Sequence, residues 1–244
     1  MRSALITGAS RGIGRGIALR LAERGYALTI TSRRAADLEA LVPDLHAAGA
    51  PRVVHHAADL ADRDALTSIV DAHRATFTTM DALVLNGGVG TAGPIDTYPL
   101  RRLDRTIEVN LTSAFVLVQC ALPLLRAAAG ANPTRGAKVV ALASITGVYA
   151  EPGLAAYGAT KAALISFIET LNAEESPRGV TATAIAPGYV DTDMSAWITD
   201  SIPAQTMIPV SDVVAVVDML LSLSARTSIA RIALTRSGSR HYQA

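Results

Sequence analysis

Short apolar runs alternate with longer segments whose apolar residues recur every three to four positions, and this alternation constrains the chain more than any other feature. The runs ALIT (4–7), ALTITS (27–32), RVVHHAADL (52–60) and DALVLNGGVG (81–90) read as strands, with helical patterns between them. They are nearly continuous in apolar character rather than alternating. A strand of that kind is covered on both faces, and βαβαβαβ order implies a parallel sheet with helices on either side. AKVVALAS (137–144), VTATAIAPG (180–188) and IARIALTRSG (229–238) extend the pattern, separated by helical stretches at about 100–129, 155–175 and 211–223. The expected class is α/β, a Rossmann-type doubly wound sheet. With half of its 244 residues apolar and 18% charged, the chain can bury a sizeable core. No repeat, low-complexity tract or linker divides it, so residues 1–244 are expected to form a single domain.

The first strand runs into GASRGIG and then a helical pattern. In such a turn Gly8, Gly12 and Gly14 let backbone approach a pyrophosphate, and the helix start directs free N–H groups and its positive dipole end at the phosphates. Ser10, Arg11 and Ile13 share the turn. At the end of the second strand, where an acidic residue would bind a ribose 2′-hydroxyl, the chain has Arg33 and Arg34. With Arg11 these cations favour a 2′-phosphate, and hence NADP(H) over NAD(H). Asp59, with Leu60, follows the third strand, where its carboxylate can accept from an adenine amino group or cap the next helix. Asn86 and Gly88 end the fourth strand in small residues that leave room for a flat cofactor edge.

A second group lies between residues 110 and 161. Ser144 stands at the carboxyl end of the fifth strand, the edge at which open α/β sheets bind ligands. Tyr157 and Lys161 are four apart at a helix start and share one face. A cation beside a phenol is expected to lower the phenol pKa and so to favour proton donation at neutral pH. Taken alone the pair fits a solvated helix face better than a site. Asn110 sits in an apolar helical setting and needs hydrogen-bond partners, either structural or within a site. After Pro187 and Gly188 comes an apolar, proline-broken loop carrying Val190, Thr192, Met194, Trp197 and Ile198. This segment, about 188–209, reads as a substrate lid, or else as packing on its own domain.

Other classes find little support. Net charge is +1, with no basic run or aromatic platform for nucleic acid. The single cysteine, Cys120, excludes an intramolecular disulfide framework. His46, His55, His56, His73 and His241 lack metal-ligand spacing, so no metal is expected. A strand within four residues of Met1 leaves no room for a leader, and no uninterrupted apolar stretch reaches membrane-spanning length. The expected location is cytoplasmic.

TGASRGIG, Asn110, Ser144, YGATK and PGYVDT together resemble the short-chain dehydrogenase/reductase family in its compact single-domain branch, over almost the whole chain. That resemblance implies a seven-stranded parallel sheet and a tetrad of Asn110, Ser144, Tyr157 and Lys161. Tyr157 would be the acid/base on the substrate oxygen, Ser144 would hydrogen-bond that oxygen, and Lys161 would depress the tyrosine pKa and bind the nicotinamide ribose. Asn110 would hold a water linking Lys161 to solvent, while Val190 and Thr192 would orient the carboxamide. A homodimer or homotetramer built on the two long helices is implied as well. Two positions depart from the family pattern: Leu85-Asn86-Gly87-Gly88 replaces Asn-Asn-Ala-Gly, and Thr235-Arg236-Ser237-Gly238 replaces the common Asp-Gly-Gly, which weakens an assignment to fatty-acid synthesis.

The function expected is interconversion of a ketone and a secondary alcohol with NADP(H), in the direction of reduction when NADPH is used. Trp197 and the lid methionines point to an apolar or bulky ketone, with Val148, Tyr149 and Leu154 on the opposite wall. Arg101, Arg102 and Arg105 suit a solvated helix end better than a dock for an acidic carrier. A dinucleotide-binding sensor or scaffold without turnover is the alternative, and an epimerase or dehydratase would need a larger substrate portion.

Overall fold

A computed structural model describes residues 1–90 and 92–239; Thr91 and residues 240–244, including His241, lie outside the described residues. Seven strands form one parallel sheet: β1 (Ser3–Thr7), β2 (Ala27–Ser32), β3 (Val53–Ala57), β4 (Ala82–Leu85), β5 (Ala137–Leu142), β6 (Val180–Pro187) and β7 (Arg231–Leu234). The order across the sheet is β3-β2-β1-β4-β5-β6-β7. Helices α1 (Gly12–Glu23), α2 (Ala35–Ala47), α3 (Arg63–Arg74), α4 (Leu100–Ile107), α5 (Ser113–Ala131), α6 (Ala155–Glu175) and α7 (Val210–Ser222) make the connections.

Strand residues divide by parity between two cores. Leu5, Leu83, Val139 and Ala141 face α3, α5 and α6, while Ile6, Val84, Val140 and Leu142 face α1, α2 and α7. Each fully buried Leu or Ile contributes about 1.5–3 kcal/mol, which is why the strands read as unbroken apolar runs. The seam between β1 and β4, where the strand order reverses, has three paired positions, against five for β1–β2 and six for β5–β6. Ligands bind in open α/β sheets at the carboxyl side of such a switch point.

The expected helix from about 100 to 129 is present but not uniform. Glu108–Thr112 is a π-helical turn between α4 and α5, and Asn110 lies inside it. Its side chain accepts from Val89 N at 2.8 Å and donates to Val89 O at 2.9 Å and Thr160 Oγ1 at 3.1 Å. Those tertiary bonds hold the inserted residue in place, and turns of this kind gather at functional sites. The stretch Leu100–Ala131 is long and apolar enough, by length and composition, to cross a membrane. Here it lies along the core with Leu117, Ala121 and Leu125 buried.

Candidate active site

The turns that leave β1 and β4 meet over the switch point. Asn86 Nδ2 donates to the carbonyls of Thr7 and Gly8 at 3.0 Å each, and Thr7 Oγ1 accepts from the N–H groups of Asn86 and Gly87 at 3.0 and 2.9 Å. Gly14 packs beneath this clamp. A methyl there would stand 2.2 Å from Gly8 O and 2.4 Å from Asn86 Nδ2. In the altered Leu85-Asn86-Gly87-Gly88 sequence, an alanine methyl at Gly87 would lie 2.3 Å from Leu60 Cδ1. Glycine here and leucine at 60 accommodate each other.

At the other end of the site, β5 delivers Ser144 in extended backbone, where it caps the short 3-10 turn Ile145–Gly147. Gly147 presses that turn onto α6, since a Cβ would lie 2.7 Å from the Lys161 carbonyl carbon. Ser144 is thereby brought to Tyr157, one helical turn before Lys161. Lys161 is 4% exposed, and its Nζ donates to Leu142 O at 2.7 Å. A Cβ on Gly88 would sit 3.3 Å from Asn110 Oδ1 and 3.5 Å from Lys161 Nζ, so Asn110 approaches the lysine from behind the wall.

The expected lowering of the Tyr157 pKa is not what the fold gives. Burial pushes the Tyr157 phenol up to about 12, opposed by its hydrogen bond with Ser144, and burial brings the Lys161 ammonium down to about 8. Lys161 Nζ lies 5.6 Å from the Tyr157 ring centroid. Desolvation favours the neutral form of both groups. The phenol therefore holds its proton at neutral pH.

These two ends open into one cleft of about 940 Å³. Gly8, Ser10, Arg11, Gly12, Ile13, Arg33, Asp59, Leu60, Asn86, Gly88, Ser144, Tyr157, Lys161, Pro187, Gly188, Val190 and Thr192 all line it; Gly14 and Asn110 support it from behind. Thr146 and Tyr189 also line the cleft. Neither stood out in the sequence, although Thr146 lies two residues from Ser144 and Tyr189 between Gly188 and Val190.

Arg11, Arg33 and Arg34 all line the cleft, but two of them are paired with carboxylates. Arg11 pairs with Asp193 at 2.8 Å and Arg34 with Asp37 at 2.6 Å. Arg105, expected on a solvated helix end, instead grips both oxygens of Asp59 at 2.9 and 2.8 Å. Asp62, not Asp59, caps α3. Burial opposes the ionisation of Asp59, but the Ala61 amide, Arg105 and the charge of Arg33 hold its carboxyl below the usual range. Arg15 pairs with Asp44. Arg33 is left as the arginine of the cleft with no ion pair among the described residues.

The segment after β6 is fastened at both ends. Ile208 N donates to Tyr189 O and Asp191 N to Ile208 O, both at 2.9 Å, and Met207 and Ile208 are buried. Between them Met194 and Trp197 border the cleft while remaining 47% and 56% exposed. Trp197 packs edge-on against Tyr189, with ring centroids 6.1 Å apart.

A nicotinamide dinucleotide fits these residues. Arg11, the cap of α1, makes no side-chain capping bond, so the helix start presents its amides toward the cleft. The glycine turn has φ of +65° at Gly8 and +52° at Gly12, and the buried Thr31 Oγ1 on the cleft wall has no partner among the described residues. Fold and cleft together define a dinucleotide-binding α/β protein of the doubly wound type.

Comparison with known proteins gives the family. The profile described as short chain dehydrogenase matches residues 2–202, and the chain belongs to that family of oxidoreductases. It is 35% identical over 214 residues to the 3-oxoacyl-(acyl-carrier-protein) reductase of Staphylococcus aureus, covering 86% of this chain and 84% of that relative. A short chain dehydrogenase from Burkholderia cenocepacia, solved in complex with NADP, superposes with a TM-score of 0.85 at 32% identity, over 97% of this chain and 96% of the other. A 3-oxoacyl-(acyl-carrier protein) reductase from Brucella melitensis with bound NAD gives a TM-score of 0.82 at 28% identity, over 96% and 88% of the two chains.

Proposed function

We propose that the protein is an NADP(H)-dependent oxidoreductase that interconverts a ketone and a secondary alcohol, working chiefly as a ketone reductase. The observation that carries this reading is the meeting of Ser144, Tyr157 and Lys161 at one end of a cleft whose other end is the glycine turn and Arg33. When bound, the nicotinamide supplies the hydride that goes to the carbonyl carbon. Ser144 donates a hydrogen bond to the carbonyl oxygen. Tyr157, protonated at neutral pH, passes its Oη proton to that oxygen as negative charge develops there. Lys161 lies in the wall near both Tyr157 and the Gly88 backbone, a position from which it can bind a ribose hydroxyl. Arg33 supplies the cation for a 2′-phosphate, which favours NADP(H).

Met194 and Trp197 present an apolar cover on one side of the site, with Leu154 on another, in keeping with a bulky or apolar ketone under a lid at 188–209. Thioester-linked 3-oxo compounds belong in a substrate panel because of the relatives named above. Replacing Tyr157 with Phe should lower NADPH-linked turnover by at least about a thousandfold while NADPH affinity, measured by fluorescence titration, stays within about twofold. That loss reflects removal of the proton donor and one polarising group. Full activity in the variant would sink the mechanism. Tight NADPH binding with no oxidation across a broad carbonyl panel would leave a binding protein instead.

A further inference from the structure

Ser144 has one proton and two lone pairs, and Thr146 occupies the lone pairs. Thr146 lies in the 3-10 turn that follows Ser144, is 8% exposed and lines the cleft. Its backbone N–H donates to Ser144 Oγ at 3.3 Å, and its hydroxyl donates to the same atom at 2.9 Å. What Ser144 has left to offer is its proton, and it faces the same cleft as Tyr157, whose phenol pKa it draws down against the effect of burial. The backbone bond alone is enough to cap the turn, so the Thr146 hydroxyl is not needed for the local fold.

We propose that Thr146 is a positioning residue: by filling the acceptor capacity of Ser144 it holds that hydroxyl as a donor, to the Tyr157 oxygen before a ketone binds and to the substrate oxygen once a ketone is bound. A chain of hydroxyls in a low-dielectric wall also polarises in sequence, so each donor strengthens the next. Without the threonine hydroxyl, Ser144 can turn its proton away, and the tyrosinate, which takes the alcohol proton in oxidation and is left behind in ketone reduction, loses part of its stabilisation. This inference rests on the proposed roles of Ser144 and Tyr157.

The test compares Thr146→Val, which keeps shape and the backbone bond, with Thr146→Ser, which restores a hydroxyl. Both are assayed for ketone reduction and for oxidation of the corresponding alcohol across pH. In Thr146→Val the turnover should fall roughly 3- to 10-fold, the scale of one neutral hydrogen bond, with KM for NADP(H) unchanged. The rising limb of the oxidation profile should also move to higher pH. Thr146→Ser should restore both, an outcome that a packing role would not produce. A Thr146→Val enzyme with wild-type turnover and an unmoved limb overturns the inference, as does a serine variant that fails to rescue. If circular dichroism shows Thr146→Val to be unfolded, Thr146→Ala is read in the same way. An active wild type with an inactive Tyr157→Phe confines any such failure to Thr146, whereas a wild type inactive on every carbonyl overturns both readings together.

Discussion

Replacing Gly14 with alanine sets two effects against each other at one atom. Gly14 lies in the first turn of α1, where alanine would gain about 1 kcal/mol of helix propensity. The added methyl, however, would stand 2.2 Å from Gly8 O and 2.4 Å from Asn86 Nδ2, whereas ordinary contact begins at 3.4 Å. Backbone and clamp must move apart by more than about 1 Å. Asn86 then gives up its bonds to the Thr7 and Gly8 carbonyls, a loss of about 0.5–1.5 kcal/mol each, and overpacking adds about 1–3 kcal/mol. The net is a destabilisation of about 3 kcal/mol. Gly130, near the end of α5 with nothing within 4 Å of a would-be Cβ, supplies the contrast: alanine there should stabilise by up to about 1 kcal/mol. Guanidinium unfolding reads both signs, and dinucleotide titration should show weaker binding for the Gly14 variant alone. A Gly14→Ala protein as stable as wild type would refute the close-packing account of the turn.

Three other predictions follow from the same geometry. Arg33→Ala should weaken NADPH binding about 10- to 100-fold, the scale of hydrogen bonds to a charged group, and leave NADH nearly unchanged; calorimetry showing both affinities falling together would remove the phosphate assignment. His73 is fully buried between Thr29 Oγ1 (2.8 Å) and Thr79 O (3.0 Å), and burial holds its imidazole below the usual range. Its folded pKa lies under the unfolded value near 6.5, so the unfolded chain binds the extra proton: stability should be complete above that pH and fall by up to about 1.4 kcal/mol per unit below it, and His73→Gln should flatten this slope in urea titrations. Phe115, 53% exposed and 5.0 Å from the Phe167 ring, marks an apolar face on the two long helices suited to a homodimer or homotetramer, so light scattering should find an oligomer that Phe115→Glu dissociates; a wild-type monomer would contradict it.

What the sequence disclosed depended on whether the cause was local. Strands covered on both faces read as continuous apolar runs, so all seven strands were visible, although the runs at 52–60, 81–90 and 229–238 overshoot strands that end at Ala57, Leu85 and Leu234. Ser144, Tyr157 and Lys161 were legible because strand end and helix face fix where such residues point. The π turn at Asn110 was not, since one inserted residue barely disturbs helical periodicity and its reason is Val89, reached only in the folded chain. The ion pairs of Arg11 and Arg105 were hidden on similar grounds. Their partners Asp193 and Asp59 lie 182 and 46 residues away. The protonation order of Tyr157 and Lys161 depends on how much water the surrounding wall excludes, and spacing says nothing of that.

The short seam between β1 and β4 has a mechanical meaning. Three paired positions join the half of the sheet carrying the glycine turn to the half carrying Ser144, the fewest between any two neighbouring strands, so bonds between the turns carry a larger share of what holds the halves together there. Asn86 bridges it at the open end, as a staple across a book's spine. With the Thr7 hydroxyl, which takes the Asn86 and Gly87 amides, that side chain ties the two turns together at the mouth of the cleft.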